Sequence, residues 1–176
     1  MTSASPRVGA KTGRGLLGLW LGAWLAWSPP LHAETAVAIL AFELNDLTLL
    51  PQTPEELART ASIRPQLEGA LGKRDGIRLV SIDTEAATRA NAGFGYLFDH
   101  HEAAARLGRE HGADWVLVGR LHKPSFLFAY IMAHLVDVQN GTLAANYVVE
   151  VKGPAEQVTA KGVERLAEKI EQTLSP

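Results

Sequence analysis

The sequence predicts an α/β domain with a mixed five-stranded sheet in the order β-α-β-α-β-β-β-α and with the helices packed on that sheet. Beyond residue 33, unbroken apolar runs alternate with helical patterns, which is typical of parallel strands joined by right-handed crossovers. Two further strand-like runs flank Asn140–Gly141, the strongest short signal for a hairpin. An amphipathic pattern then predicts a closing helix.

Residues 1–33 have the layout of a secretory signal peptide. Three basic residues precede an apolar run at 16–27, and two prolines and the small Ala33 follow it. We expect cleavage between Ala33 and Glu34, a periplasmic location and no stable membrane anchor after cleavage. The competing interpretation is a transmembrane anchor, which needs about twenty apolar residues and is therefore longer than this run.

Residues 34–176 are predicted to form a single α/β domain, because a chain of roughly this length suits one hydrophobic core. The leader holds three basic residues and no acidic one, so its removal changes the formal charge from −2 to −5. A mildly acidic surface argues against nucleic acid as a partner, since that requires a basic patch. The absence of cysteine excludes disulfides, thiolate nucleophiles and thiolate metal sites.

The first strand and the first helix follow from apolar patterning and from capping. Residues 36–42 are a continuous apolar run, which is typical of a strand buried on both faces. Pro54 followed by two glutamates predicts a helix start, because proline suits the first turn and acids suit the N-terminus. We expect this helix to end near Gly72, with a kink or a late start at Pro65.

A second strand and a second helix are expected before the hairpin. The run 77–82 predicts the strand, whereas residues 84–98 show no clear pattern. Within them, Gly93–Tyr96 predicts a flexible loop. Asp99 suits the N-cap of a helix that extends to residue 111, because Gly112 is a typical stop.

The C-terminal half is predicted as three antiparallel strands and a helix, at residues 113–122, 126–139, 142–152 and 156–174. A two-residue turn at Asn140–Gly141 pairs Met132 with Val149 and leaves both hairpin faces apolar. Such faces need cover from helices or from a partner, and we favour the helices. An edge strand can also pair with a copy of itself, so the oligomeric state is left open.

Three segments, at residues 37–43, 113–121 and 136–142, carry a resemblance. They resemble the N-terminal domain of the translocation protein TolB and related envelope proteins, among them curli-secretion and penicillin-binding-protein activator lipoproteins. The segment 105–123 is more similar to a family of unknown function among small secreted proteobacterial proteins. The resemblance implies a TolB-like fold and supplies no catalytic residues. A lipid tether does not transfer, because the chain has no cysteine.

The aromatic residues Phe94, Tyr96 and Phe98 form a candidate loop for a partner or ligand. An aromatic flanked by glycines on a mobile loop could close over a ligand or dock on a partner. The alternative is a loop pinned to the core by Phe94 and Phe98.

Asp114 and His134 are a candidate polar pair, because the predicted register places them opposite each other. A carboxylate that orients an imidazole could make a general base, but no serine or threonine is placed as a nucleophile. The favoured interpretation is a cross-strand polar pair at the end of the sheet.

No metal, cofactor or catalytic site is predicted. The spacing of the five histidines beyond the leader does not match helical ligand pairs three or four residues apart. These histidines are His100, His101, His111, His122 and His134.

The predicted function is therefore a non-catalytic periplasmic accessory or adaptor that binds a protein or cell-envelope partner through loops 44–53 and 91–98. The alternative is a small-ligand carrier or an unrecognised enzyme with an apolar pocket between the hairpin strands and the last helix. A pocket of roughly 300–1,000 Å³ with converging polar groups would favour the alternative. A filled core with an apolar patch would favour the adaptor.

Overall fold

A mixed sheet of six strands is the centre of the computed structural model, which describes residues 1–2, 34–48, 51–152 and 155–175. The chain divides into two units, residues 1–31 and residues 32–176, and the sheet belongs to the second. The predicted signal peptide lies outside the described residues. Within the described part of the chain, no helix is long and apolar enough to cross a membrane.

The predicted fold class is confirmed, with one additional strand. The strands are β1 (Thr35–Ile39), β2 (Glu43–Asp46), β3 (Ile77–Val80), β4 (Trp115–Lys123), β5 (Ala129–Asp137) and β6 (Thr142–Val151). The helices are α1 (Pro54–Leu71), α2 (Thr84–Ala90), α3 (Tyr96–Asp99), α4 (His101–Glu110) and α5 (Ala155–Leu174). The sheet order is β3-β1-β4-β5-β6, with β2 also paired to β4. The pairs of β1 and β2 are parallel, and those of β5 are antiparallel.

Strands β1 and β2 replace the single first strand that the sequence predicts. Ile39 pairs with Leu117 and Glu43 pairs with Arg120. Between these two pairs the β1–β2 segment is therefore one residue longer than the facing segment of β4. This is the signature of a bulge. The ring of Phe42 lies here over Gly119, where an added Cβ would be 2.1 Å from the ring. The bulge re-aims the chain so that β2 continues along β4.

The two faces of the sheet carry separate hydrophobic cores. Helices α1 and α5 cover one face, where Leu121, Ile131 and Leu166 are fully buried. Helices α2, α3 and α4 cover the other, where Ala104, Val116 and Val136 are fully buried. Helices therefore pack on both faces of the sheet, as the sequence analysis favoured.

Helix α1 begins where its sequence predicts. Thr53 is the N-cap, and its hydroxyl accepts a hydrogen bond from the Glu56 N–H at 3.3 Å. The helix continues through Pro65 and ends at Leu71, so the late start considered at Pro65 was wrong.

Two short helices occupy the segment for which the sequence showed no pattern. Asp83 caps α2, since its carboxylate accepts the Ala86 N–H at 2.7 Å. Gly95 has a φ of +76° and leads into α3, a conformation that favours glycine. Asp99 ends α3, and α4 therefore begins at His101 rather than after an Asp99 cap.

The hairpin register differs from the predicted one by a single residue. The turn is longer than Asn140–Gly141, because Asp137 pairs with Thr142. The Asp137 carboxylate holds this turn by accepting the backbone N–H groups of Gln139 and Asn140, and hydrogen bonds from Asn140 lower the pKa of Asp137.

After an irregularity at Leu135/Val136, Met132 pairs with Val148 and not with the predicted Val149. A one-residue slip moves every side chain of a strand to the other face. Tyr147, Val149 and Val151 therefore lie in the core beside α5, away from Met132.

Candidate functional site

One face of the sheet is buried near α4 but open farther along β4, β5 and β6. On the opposite side of the same strands, Leu121 and Ile131 are fully buried. On the open side, Val148 is 49% exposed, and its neighbours are half-buried. We call this surface the open face and define it by Arg120, His122, Tyr130, Met132, Val148 and Glu150.

Two cross-strand rows make up the open face and extend it onto β2. In the first row, successive register partners are Glu43, Arg120, Met132 and Val148. In the second row they are Asn45, His122, Tyr130 and Glu150. Asn45 Nδ2 lies 3.0 Å from His122 Nδ1. The first row passes from charged residues on β2 and β4 to apolar residues on β5 and β6, whereas the second row has two aromatic rings between polar ends.

Phe98 marks the border between the covered and open parts of this face. Its side chain is buried, and its ring stacks on His134 with the centroids 3.8 Å apart. The Arg120 guanidinium lies 3.5 Å from the centroid of the Phe98 ring, within the range of a cation–π contact. Arg120 also approaches Asp99 at 3.4 Å. α3 is thus fixed to β4 and β5 through one aromatic ring.

His134 and His101 form a second contact at this border. His134 Nδ1 lies 3.0 Å from the Phe98 carbonyl oxygen and 3.1 Å from His101 Nε2. Because the carbonyl can only accept, His134 Nδ1 carries the proton in this arrangement.

Burial lowers the pKa of His134, and His101 and Arg120 lower it further. The Phe98 carbonyl and Asp99 act in the opposite direction without reversing the shift. The folded protein therefore favours a neutral imidazole at this position.

The loop ahead of α3 is tied to β2 by one carboxylate. Glu43 accepts a hydrogen bond from the Gly95 N–H at 2.7 Å and another from Asn91 Nδ2 at 3.1 Å. Phe94, next to Gly95, is 63% exposed. The Tyr96 ring contacts His100 at a centroid distance of 4.4 Å.

The three aromatic residues that the sequence grouped as a partner or ligand loop thus have three environments. Phe98 is buried, Tyr96 is half-buried and Phe94 is exposed. The pinned-loop alternative fits Phe98 and does not fit Phe94. A binding role for this loop stays a prediction.

Apolar side chains also protrude from the connection between β4 and β5. Phe126 is 67% exposed and Leu127 is 76% exposed. Phe128 contacts Tyr130 edge-to-face with the ring centroids 5.7 Å apart, and Tyr130 stacks on His122 at 6.4 Å. Phe128 therefore extends the aromatic surface next to Tyr130, whereas Phe126 and Leu127 line a small cavity together with Glu56 and Arg59 of α1.

A largely buried ion cluster fixes the strand ends beneath that connection. Lys123 Nζ lies 3.3 Å from Asp46 and 3.4 Å from Glu56. Burial would raise the pKa of Asp46, but hydrogen bonds from Thr48 and Lys123 outweigh it and lower that pKa. The cluster joins β2, β4 and α1, which gives the open face a rigid support.

The predicted pairing of Asp114 with His134 was wrong. Asp114 accepts the Ala36 N–H at 2.8 Å, whereas His134 lies opposite Val118. The β4–β5 connection is longer than the three-residue turn assumed from sequence, which shifts the register. The carboxylate of Asp114 thus anchors β1, and the partner of His134 is His101.

No metal site is found in the described ranges. No group of three or more histidine, aspartate or glutamate side chains there could hold a metal ion. A cavity of about 190 Å³ lies beyond β1, between Phe42, Arg64 and Thr88, and is smaller than typical ligand sites.

A groove of about 690 Å³ lies between β6 and α5, the region that the sequence alternative proposed for a pocket. It is lined by Glu150, Lys152, Val158, Lys161, Glu164 and Arg165. All of these except the half-buried Val158 are exposed, so the groove is an open and charged surface.

The sequence matches a family described as "Protein of unknown function (DUF2380)" over residues 35–170. The chain belongs to this family. The match covers the six strands and most of α5, so the family and the sheet domain coincide. The resemblance to a family of unknown function is thereby confirmed. No curated protein matches the sequence of this chain significantly.

Solved structures show what fold this member of the family has. The NMR structure of LpoB from E. coli has a TM-score of 0.51 and 15% identity, covering 86% of this chain and 83% of LpoB. The PelC dodecamer from Paraburkholderia phytofirmans has a TM-score of 0.51 and 13% identity, covering 81% and 88%. TolB from Acinetobacter baumannii has a TM-score of 0.51 and 18% identity, covering 81% of this chain and 28% of TolB. At these identities the likeness shows the fold, and it confirms the predicted TolB-like architecture.

The open face itself was not identified from the sequence. The sequence contains the relevant alternation, since Tyr130, Met132 and His134 lie on one side of a predicted strand. Their surroundings depend on the hairpin register, which the Asn-Gly rule placed one residue away. Arg120 gave no signal, because its contact with Phe98 requires α3, an element absent from the prediction.

Proposed function

We propose that this protein is a secreted periplasmic accessory or adaptor that binds a protein or envelope partner, without catalysing a reaction, and that the open face is its binding surface. The observation that carries the proposal is the incompletely covered face of an otherwise well-packed sheet, on which Val148 is exposed and Tyr130 and Met132 are half-buried. Soluble proteins rarely leave contiguous apolar patches uncovered unless a partner binds there. The predicted leader supports a periplasmic location.

The composition of the open face suits a protein partner. Tyr130 and Met132 supply an aromatic and an adaptable side chain at the centre, and aromatic residues, methionine and arginine are enriched in interfaces. Arg120 lies beside Met132 and Glu150 lies beside Tyr130, so a charged group adjoins each of them. The anchored Phe98 and the ion cluster at Lys123 hold this surface in place, which lowers the entropic cost of association.

The contacts of the histidines support a non-catalytic role. His134 and His101 bond to each other and to a backbone carbonyl, and the described residues give this pair no serine or threonine within hydrogen-bond distance. A general base needs such a nucleophile or a bound water to activate. The groove beside α5 is open to solvent, so it lacks the enclosure that buries most of a small ligand.

The shared fold adds a supporting precedent for assembly. PelC, which has this fold, is a dodecamer. We carry over to the present chain only that surfaces of this fold can serve protein–protein contacts.

Site-specific photo-crosslinking in the native host tests the proposal. A photoreactive amino acid replaces Val148 on the open face or, as the control, Leu57 on α1, which is similarly exposed at 48%. We expect one discrete adduct from position 148 and none from position 57. The proposal is wrong if neither position gives an adduct, or if both give the same one.

Two substitutions then test whether the open face contributes to the free energy of binding. Val148→Asp places a charge on the open face beside Met132, and Leu57→Asp places it on α1. We expect Val148→Asp to weaken recovery of the crosslinked partner by about ten-fold or more, because the new carboxylate would be desolvated in the interface. Leu57→Asp should leave recovery unchanged.

A further inference from the structure

Strand β6 is a long sheet edge with little protection. It comprises ten residues and has no neighbour on its outer side in the described part of the sheet. Leu143, Ala144 and Val148 are exposed along it, and Glu150 is its single charged residue. Native edges are usually blunted by lysine, proline or very short length, and β6 has none of these.

The pairing pattern fixes which backbone groups of β6 face outward. The Val138 N–H donates to the Asp114 carbonyl at 3.0 Å, so even-numbered residues of β5 bond toward β4 and odd-numbered ones toward β6. Their partners on β6 are odd-numbered as well, which turns the N–H and C=O groups of Asn146, Val148 and Glu150 outward. Independently, the Glu150 carbonyl accepts a hydrogen bond from Arg165 Nη2 at 2.7 Å.

The groove between β6 and α5 gives this edge a charge preference. Lys152, Lys161 and Arg165 line it, together with Glu150 and Glu164. Arg74 already pairs with Glu164 at 2.6 Å, and Glu150 lies on the opposite face of β6 in the row of Tyr130. A strand added to β6 would therefore meet mainly positive charge on the side of α5.

We propose that an extended, acid-bearing peptide segment of a partner protein binds to β6 as an additional strand. Its backbone would pair with the outward groups of Asn146 and Val148, and an acidic side chain would point into the groove toward Lys161 and Arg165. This is the strand-addition mode of peptide recognition, in which alternate side chains provide specificity. The inference rests on the proposed function and specifies the form of the partner.

A second copy of the chain is the less suitable occupant. Pairing two copies of β6 around a two-fold axis would bring both α5 grooves to the same interface. The lysine and arginine side chains of one copy would then approach those of the other, and like charges oppose association.

Peptide selection on the full chain, purified after secretion, tests the inference. The probe is a phage-displayed library of random dodecapeptides, and enriched sequences are then synthesised. We expect alternating apolar residues with aspartate or glutamate, and backbone chemical-shift changes confined to β6 and α5. N-methylation of alternate peptide amides should weaken binding by about ten-fold or more, since each removes a strand hydrogen bond.

Two matched variants locate the contact. Asn146→Pro removes one outward N–H, and proline is tolerated on edge strands in that orientation. Asn146→Thr keeps the N–H and serves as its control. We expect binding of the synthetic peptide to fall by about ten-fold in the first variant and to be retained in the second. Lys161→Glu should reduce the affinity for acidic peptides and leave the thermal midpoint unchanged.

Several results would overturn strand addition. The first is a library in which no sequence is enriched, and the second is a set of chemical-shift changes on Met132 and Tyr130 instead of on β6. The third is an N-methylated peptide that binds as tightly as the unmodified one. The fourth is a dimer of the chain that Asn146→Pro dissociates. The N-methylated peptide keeps the test decisive even if Asn146→Pro fails to fold. A retained photo-adduct at Val148 alongside any of these results would leave the adaptor proposal standing and refute strand addition alone.

Discussion

Phe98 shows how a single side chain can hold an irregular segment on a sheet. Its ring packs between the Arg120 guanidinium and the His134 imidazole, and its carbonyl accepts from His134. Phe94, four residues earlier, is largely exposed. The two phenylalanines therefore differ in burial although they lie in the same glycine-flanked motif.

We predict that Phe98→Ala lowers the free energy of unfolding by about 3–5 kcal/mol, the range for a fully buried phenylalanine. Phe94→Ala should change it by less than about 0.5 kcal/mol, as at most surface positions. Urea unfolding followed by circular dichroism measures both values. Equal losses in the two variants would contradict the assigned environments.

We predict that His134 makes stability depend on pH. Its pKa is lowered in the folded state by burial and by His101 and Arg120, whereas in the unfolded chain it titrates near pH 6.5. As pH falls below about 6.5, the unfolded state binds a proton that the folded state resists, so the free energy of unfolding decreases. Above that pH this contribution is constant.

Urea titrations between pH 7.5 and 5 measure the effect of His134. His134→Gln should flatten the decrease, because it removes the titrating group. His100→Gln, at a more exposed position, should preserve the wild-type slope. A wild-type slope in His134→Gln would show that another group is responsible.

The residues themselves were predicted unevenly, for a physical reason. The turn at Asn140–Gly141 was expected from its own residues, and Asp137 supports it through hydrogen bonds with neighbours two and three residues away. Asp114 and His134 were paired on an assumed turn length, and they lie apart. Local contacts follow from sequence, whereas a cross-strand pair depends on every loop between its members.

At the level of elements, close approaches between helices and the sheet depend on glycine. Gly108 on α4 faces β4 and β5, and an added Cβ would be 2.3 Å from Val116 and 2.8 Å from Val138. Gly69 on α1 has no atom within 4 Å of such a Cβ. The same substitution therefore has opposite consequences at the two positions.

We predict that Gly108→Ala destabilises the protein by about 1–3 kcal/mol through overpacking. Gly69→Ala should stabilise it by about 0.5–1 kcal/mol, because alanine is the better helix former and space is available. Thermal and urea unfolding of both variants give the signs. A stabilising Gly108→Ala would mean that α4 does not approach β4 this closely.

The elements were predicted well where their signals are local. The Thr53 cap and the proline at the first turn set the start of α1, and Gly112, at a φ of +72°, follows the end of α4. The hairpin was identified by Asn140–Gly141, but Asp137 lengthens the turn and shifts the register. That one-residue shift decides which side of β6 faces solvent, and hence whether an open face exists.

The described residues from 34 onward form one sheet with two cores, and we propose that residues 34–176 fold as a single unit. Trp115 is the only tryptophan beyond the leader, and it lies on β4 between β1 and β5. Its fluorescence therefore reports on the centre of the sheet.

We predict that the secreted protein begins at Glu34 and unfolds in one cooperative transition. Intact-mass measurement gives the N-terminus, and urea unfolding compares Trp115 fluorescence with far-ultraviolet circular dichroism. Coincident curves are the expected outcome for a two-state domain of this size. Separate curves would show that the two cores unfold independently.

At this scale the sequence was a good guide to topology. The alternation of strands and helices and the hairpin that follows them predict a mixed sheet with parallel and antiparallel pairs, because crossovers are right-handed, and the structure has such a sheet. The additional β2 was missed because a bulge at Phe42 leaves no trace in an apolar run. The open face could not be inferred from the sequence, since the area that the helices cover depends on where α3 and α4 end.

The position of β1 inside the sheet, between β3 and β4, affects the order in which the chain can fold. Val37 pairs with Leu79 on one side and with Trp115 on the other. The first strand to be synthesised therefore cannot complete its pairing until β3 and β4 have been synthesised. Contacts so distant along the chain form slowly, because loop closure precedes any gain in pairing energy. During synthesis the N-terminal segment therefore remains an extended, unstructured polypeptide for most of the time, which is the state in which a chain can be threaded through a narrow export channel.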